Sequence, residues 1–420
     1  WIMSRRRSDT GEAFTMNKRI SVGLMAAIVI LFMTITFAAA MIFSMRLFNR
    51  RVSSYRERAV MYDKISEIDS LVRESYYGEI DDNALEDKTI SGYISGLSDK
   101  YCAYLTAAEY AASKSVQEGQ ALSFGIRVEQ NTLGYMEIRA VAPNSPAAVA
   151  GLKEGDIVAG IDELTASNTN YDELSEAMNV SEGTTLKFQI NRDGKAIVAD
   201  LTMQKLDDPV VHSYIMGNDI GYIRILSFSD VAPDQFRKVF EAMQRQDIRG
   251  LIVDVRSNRI GYDSVENVIN IINQLVPTVR TLAEAEYRGG TTRILGSSDG
   301  TGSEIPVAVL VNEKTEYMGE LFAAVLRDVK AAPVIGVTTV GHGTYQNILA
   351  LEDGSAVAVS NSVLLAPISG AFNETGVAPD YVVARDAALL TDYAEPSDST
   401  DAQYARAVTV LRALMGGQAQ

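Results

Sequence analysis

Cysteine is almost absent from this chain. Cys102 is the only one among 420 residues, which excludes an internal disulfide and a multi-thiolate metal cage. Histidine is nearly as scarce. With only His212 and His342 present, a histidine-based zinc centre is excluded in practice, so neither metal nor cofactor is expected. Excess positive charge is missing from most of the length: up to Arg58 ten Lys and Arg stand against three Asp and Glu, whereas the rest carries 28 against 51. An acidic body of that kind repels phosphate backbones and argues against nucleic acid as a partner.

What is present starts with a long apolar run. From Ile20 to Met45 the sequence ISVGLMAAIVILFMTITFAAAMIFSM holds 26 residues without a charge, enough to cross about 30 Å of hydrocarbon with some tilt. The core of a signal peptide is roughly 7–15 residues, so a retained single-pass anchor is expected, with cleavage at Ala38-Ala39-Ala40 as the alternative. Five basic residues precede the run and five follow it, so positive-inside counting does not choose an orientation. A large body behind a first apolar segment places residues 1–19 in the cytoplasm and the bulk of the chain outside it, at the cell membrane. Met16, just before Asn17-Lys18-Arg19, is the expected start residue.

The length exceeds what one compact core takes, and the pattern changes twice. Residues 55–117 read as packing helices: Ile65, Ile68, Leu71 and Val72 recur at helical spacing, and a stalk is the plainer alternative. Residues 118–205 read as short strands and turns, from SFGIRVEQ and GYMEIRAV to APNSPAAVAGLKEGDIVAGIDEL. Residues 206–386 alternate strand and helix, with GYIRILSFSD, GLIVDVRSN and EIPVAVLVNE each leading into an amphipathic stretch. Such alternation predicts a mostly parallel sheet, whose sites lie at the carboxyl ends of its strands. A polar tail and a last helix fill 387–420.

The strand and turn segment resembles a PDZ domain. In that resemblance the helix YDELSEAM, with Leu174 and Met178, faces Leu122, Ser123, Phe124, Gly125 and Ile126 across a groove that takes protein C-termini by strand addition. A PDZ-shaped spacer without a ligand is the alternative. The order of anchor, helical segment, PDZ-like module and α/β domain is similar to the C-terminal processing, or tail-specific, serine peptidases, whose α/β domain is of the ClpP/crotonase kind. The strings GLSDKYCAYLTAAEY, VIGVTTVGHGTYQ, LEDGSAVAVS and GVAPDYVV carry that resemblance together.

Such peptidases use a Ser–Lys dyad, in which a poorly solvated lysine takes the serine proton. The resemblance sets the family's helix-opening Glu at Glu320, and hence its nucleophile at Tyr317. Its Gly-Lys-Gly base falls at His342 between Gly341 and Gly343, its Gln at Gln346 and its helical acid at Asp328. Asp328 lies eleven positions after Tyr317, ~16 Å along a helix, and is expected to anchor a neighbouring loop instead. The paired glycines of the oxyanion loop fall at Ile260 and Gly261, where a β-branched residue resists positive φ. A phenol near ~10 and an imidazole near ~6.5 make a poor nucleophile and base, so Tyr317 is expected to plug the former cleft. Three readings follow: a pseudo-peptidase that binds C-terminal peptides or regulates an active partner protease, a working peptidase with a non-standard site, and a structural envelope component. A homo-oligomer is compatible with each.

Overall fold

The computed structural model describes residues 22–217, 219–258, 261, 263–330, 332–384 and 401–417. Residues 1–85 form one unit and 86–420 a second. The first is dominated by a helix of 54 residues, Val22–Ser75, whose part Met25–Arg46 is apolar enough to cross a membrane, with a mean hydropathy of 2.5. Arg73 near its end pairs with Asp69 at 2.9 Å and Asp82 at 2.7 Å.

In the second unit the segment expected to be helical up to residue 117 is interrupted by a strand. Ala103–Leu105 pairs antiparallel with Ala356–Ala366, and only then does the helix Ala107–Gln117 begin, under a capping box of Thr106 and Glu109. Three residues are too few to show a period, and the partner strand decides their conformation.

The PDZ-like module is a sheet ordered Ile126–Gln130, Met136–Val141, Ile157–Ile161, Thr185–Arg192, Lys195–Thr202. A ribbon of Gln120–Ser123 on Gln204–Asp207 closes it where the chain enters and leaves. Along Thr185–Arg192 every second residue is buried, the mark of a sheet with one wet face. The inward side chains, among them Met136, Ile138, Val158, Leu174, Phe188 and Leu201, make a core separate from the next domain.

In that next domain the central sheet runs Val211–Met216, Ile220–Ile225, Gly250–Asp254, Val307–Val311, Val334–Gly336, Tyr381–Val382. The first pair is antiparallel and the rest parallel. Alternate residues divide between two cores. Ile223, Leu251, Val253, Val307 and Val309 pack under the helices Ala232–Gln244, Val265–Asn273 and Met318–Lys330. Tyr222, Ile252, Ala308, Leu310 and Ile335 meet Tyr404, Ala407, Val408 and Leu411 of the last helix, Ala402–Gly417. Burial on both faces is why these strands read as unbroken apolar runs.

That last helix is also fixed by charge. Buried Arg256 pairs with Asp254 at 2.5 Å and with Asp401 at 2.8 Å. Asp401 in turn accepts the backbone N–H of Tyr404 at 3.0 Å. Burial opposes ionisation of Asp254, but the Arg256 and Arg224 guanidiniums outweigh it and hold the carboxyl at about 2. A second sheet is built around Ala356–Ala366, which pairs with Thr281–Tyr287 and Thr344–Ala350.

Candidate active site

The site forms where the strand Val307–Val311 ends. Asn312 accepts the backbone N–H groups of Ser257 and Lys314 through its Oδ1, at 2.9 and 3.1 Å. Thr315, fully buried, donates its hydroxyl to the carbonyl of Val255 at 3.1 Å. Asn258 reads both backbone groups of Glu316, accepting its N–H and donating to its carbonyl, each at 3.0 Å. Held from both sides, the turn delivers Tyr317 at φ 54°. That left-handed conformation costs a non-glycine residue roughly 1–2 kcal/mol. The helix Met318–Lys330 starts at the next residue.

Glu320 explains how the strain is held. Its carboxylate has no exposed surface, and it accepts four donors: the Thr339 hydroxyl at 2.5 Å and the N–H groups of Gly341 at 2.6 Å, His342 at 2.7 Å and Tyr317 at 3.1 Å. One side chain thus fixes the elbow and the Gly341-His342-Gly343 turn together. Burial raises its pKa and the four donors act against that rise. Gly341 sits at φ 89° with the backbone of Glu374 and Gly376 where a Cβ would be, so the turn admits no side chain there.

Three rings fill the space between. His342 lies parallel to Tyr101 with centroids 3.3 Å apart and stacks on Tyr317 at 4.5 Å with a tilt of 23°. Its Nδ1 meets Glu316 Oε1 at 3.1 Å and its Nε2 meets Gln346 Oε1 at 3.2 Å. Gln346 is itself held by the hydroxyls of Thr344 at 3.0 Å and Ser360 at 3.1 Å. The Tyr317 hydroxyl faces the backbone N–H of Gln346 at 3.5 Å. Burial drives the two titrations apart. It pushes His342 down to about 4, with Lys100 adding to the effect and Gln346 opposing it. It also raises the Tyr317 phenol far above its ordinary range. Glu316 is raised by burial and by the charge of Glu320, against Lys100. Above the stack a cleft of about 430 Å³ remains, lined by Lys100, Tyr101, Ala103, Gly261, Glu316, His342 and Gln346.

The structure therefore brings Tyr317, His342, Gln346 and Gly261 to one place. Asp328 is elsewhere: its carboxylate accepts the N–H groups of Ile368 and Ser369 at 2.9 and 2.8 Å and anchors that turn. Ile260 lies outside the described residues. Tyr101, Glu316 and Glu320 belong to the site as well, and no sequence pattern marks them as site residues. Tyr101 lies inside the string GLSDKYCAYLTAAEY, and Glu320 opens the helix Met318–Lys330. Glu316 immediately precedes Tyr317, which is the one sequence signal it carries.

In the PDZ-like module Gly125 and Ser123 form a tight loop, Gly125 N–H donating to Ser123 Oγ at 2.9 Å. Leu122 pairs with Lys205 in the ribbon and is exposed. Ile126 opens the edge strand and Met178 packs on the core from its rim. Phe124 and Leu174, read as groove-lining, are buried in the core itself, at 1% and 0% exposure. An apolar position on an amphipathic element can face either place, and here the core takes both.

Residues 219–383 match the profile of Peptidase family S41, and residues 123–203 that of the PDZ domain. The chain is 29% identical over 339 residues to the carboxy-terminal processing protease CtpA of Bacillus subtilis, covering 80% of this chain and 70% of that protein. It is 26% identical over 354 residues to the carboxyl-terminal-processing protease of a Synechocystis strain, covering 81% and 80%. Among solved structures, a putative S41 protease from Bacteroides fragilis superposes with a TM-score of 0.54 at 17% identity, over 83% of this chain and 97% of that one, which speaks to fold alone. A PDZ domain followed by a peptidase family S41 domain, in a homologue of the carboxy-terminal processing proteases, is what this chain contains.

Proposed function

We propose that the protein is a membrane-anchored, extracytoplasmic member of this group that binds protein C-termini through its PDZ domain and does not turn them over, serving as scaffold, decoy or regulator for an active protease. The carrying observation is the stack of Tyr101, His342 and Tyr317. Acyl transfer needs a small hydroxyl beside a base that can deprotonate it. A phenol raised by burial beside an imidazole lowered to about 4 is the reverse of that arrangement. Both His342 ring nitrogens face acceptor oxygens, of Glu316 and Gln346, and the single N–H of the neutral ring is given to one of them. Loss of the nucleophile in other serine peptidases removes about six orders of magnitude in turnover, while binding survives.

The anchor is supported by the apolar stretch Met25–Arg46, and peptide binding by the match of residues 123–203 to the PDZ domain. A second reading, an active peptidase with a non-standard site, draws on the remaining cleft of about 430 Å³ and on the names of the relatives. Incubating the full chain in detergent with casein separates the two. The proposal expects no fragments; cleavage that disappears in Tyr317→Phe would establish the second reading.

A further inference from the structure

The edge strand of the PDZ domain shows which backbone groups an incoming peptide would use. Ile138 gives its N–H to Asp156 and accepts the N–H of Gly155, each at 2.8 Å, so both its backbone groups point to the far neighbour. Val128 stands opposite Ile138 in the ladder. In an antiparallel pair of that kind the partner turns its own N–H and C=O the other way, here to the open edge of Ile126–Gln130. A strand added at that edge would stand about 4.8 Å away. The space is taken. Tyr171, the first residue of the helix Tyr171–Ala177, reaches across and donates its hydroxyl to the Val128 carbonyl at 3.4 Å.

The other end of the groove is satisfied in the same manner. Gly125 holds φ 82°, and a Cβ on it would collide with Ser145. Only glycine fits that turn, and the N–H it presents is of the sort that captures a terminal carboxylate. In this structure that N–H is bonded to the hydroxyl of Ser123 at 2.9 Å.

We infer that Tyr171 and Ser123 form a latch in which two side-chain hydroxyls occupy the places of a peptide's backbone donor and its terminal carboxylate, so that a C-terminal peptide binds only by displacing both. The inference rests on the peptide-binding reading given under the proposed function. Tyr171 holds the Val128 carbonyl and Ser123 the Gly125 N–H, through one hydroxyl contact each. Each bond is a neutral hydroxyl contact of the kind that contributes little net free energy. Removing the Tyr171 hydroxyl should therefore tighten peptide binding by about threefold to tenfold.

The test uses the full chain in detergent, an immobilised library of random heptapeptides with free C-termini, and the same peptides as C-terminal amides. Tyr171→Phe and Ser123→Ala should each bind free-carboxylate peptides about threefold to tenfold more tightly than the parent, and the amides should not bind. Without peptide, Tyr171→Phe should raise amide hydrogen exchange along residues 171–177. Equal affinities for parent and both variants overturn the latch while leaving peptide binding in place. Absence of binding to the parent and to both variants overturns both. Unchanged exchange in residues 171–177 also overturns the latch.

Discussion

Beside the S41 cleft and in the PDZ groove the protein's own side chains occupy part of the candidate site, but through contacts of very different strength. The cleft holds two aromatic rings against a third, below a carboxylate with four donors. The groove is closed by two hydroxyl contacts at 3.4 and 2.9 Å. Buried aromatics dominate packing energetics, and neutral hydrogen bonds contribute about 1 kcal/mol each. The ring stack is therefore much harder to displace than the two hydroxyl contacts.

The largest way to break the comparison is at Glu320. Replacing it with Ala leaves the donors of Thr339, Gly341, His342 and Tyr317 without their acceptor, and the protein should lose about 3–5 kcal/mol in urea unfolding. A loss under 1 kcal/mol would mean that the cleft is not rigidly held.

Restoring the expected dyad is the next test. Tyr317→Ser with His342→Lys removes two buried rings and should cost about 3 kcal/mol, with no casein cleavage above the parent. The reason is that Tyr101 still covers the site and the loop around Gly261 is not rebuilt. Cleavage by the double variant would show that only the two side chains, and not the surrounding cleft, stand between this chain and activity.

Acid sharpens the contrast. The folded-state pKa of His342 is lowered to about 4, so on acidification the unfolded chain takes up that proton first. The stability involved is complete above about 6.5 and is lost as the pH falls through about 4. The parent should therefore lose about 2 kcal/mol more than His342→Gln between pH 7 and 4, after allowance for solvent screening. Glu316 and Glu320, both raised by burial, act in the opposite direction, while Lys100 opposes a proton on His342 and Asp99 favours it. These groups are common to both proteins, so the difference reports on His342. The smallest effect is the gain of Tyr171→Phe in peptide affinity, which concerns the groove and should leave the acid response unchanged.

Much of this plan was legible in the sequence because it rests on period. Alternation along Thr185–Arg192 and unbroken apolar runs such as Val307–Val311 state which faces are buried. The positions of Tyr317 and His342 are legible only through the resemblance to the C-terminal processing peptidases, whose helix-opening Glu and Gly-Lys-Gly turn fall at Glu320 and Gly341-His342-Gly343. Tyr101 could not be read in the same way: it reaches the site because Ala103–Leu105 pairs with Ala356–Ala366, a contact between distant segments that no local pattern announces. Leu174 and Phe124 failed for a related reason, since an apolar side chain on one face of an element does not say whether a core or a groove lies opposite. The latch at Tyr171 was illegible because it depends on which way the Val128 carbonyl points, and register alone decides that.

The central claim concerns covalent chemistry beside the stack of Tyr101, His342 and Tyr317, and the intact mass of the full chain after incubation with a serine-directed phosphonate tests it most directly. The account predicts the unmodified mass. A stoichiometric adduct on a single residue, at Tyr317 or at any nearby hydroxyl, would contradict it.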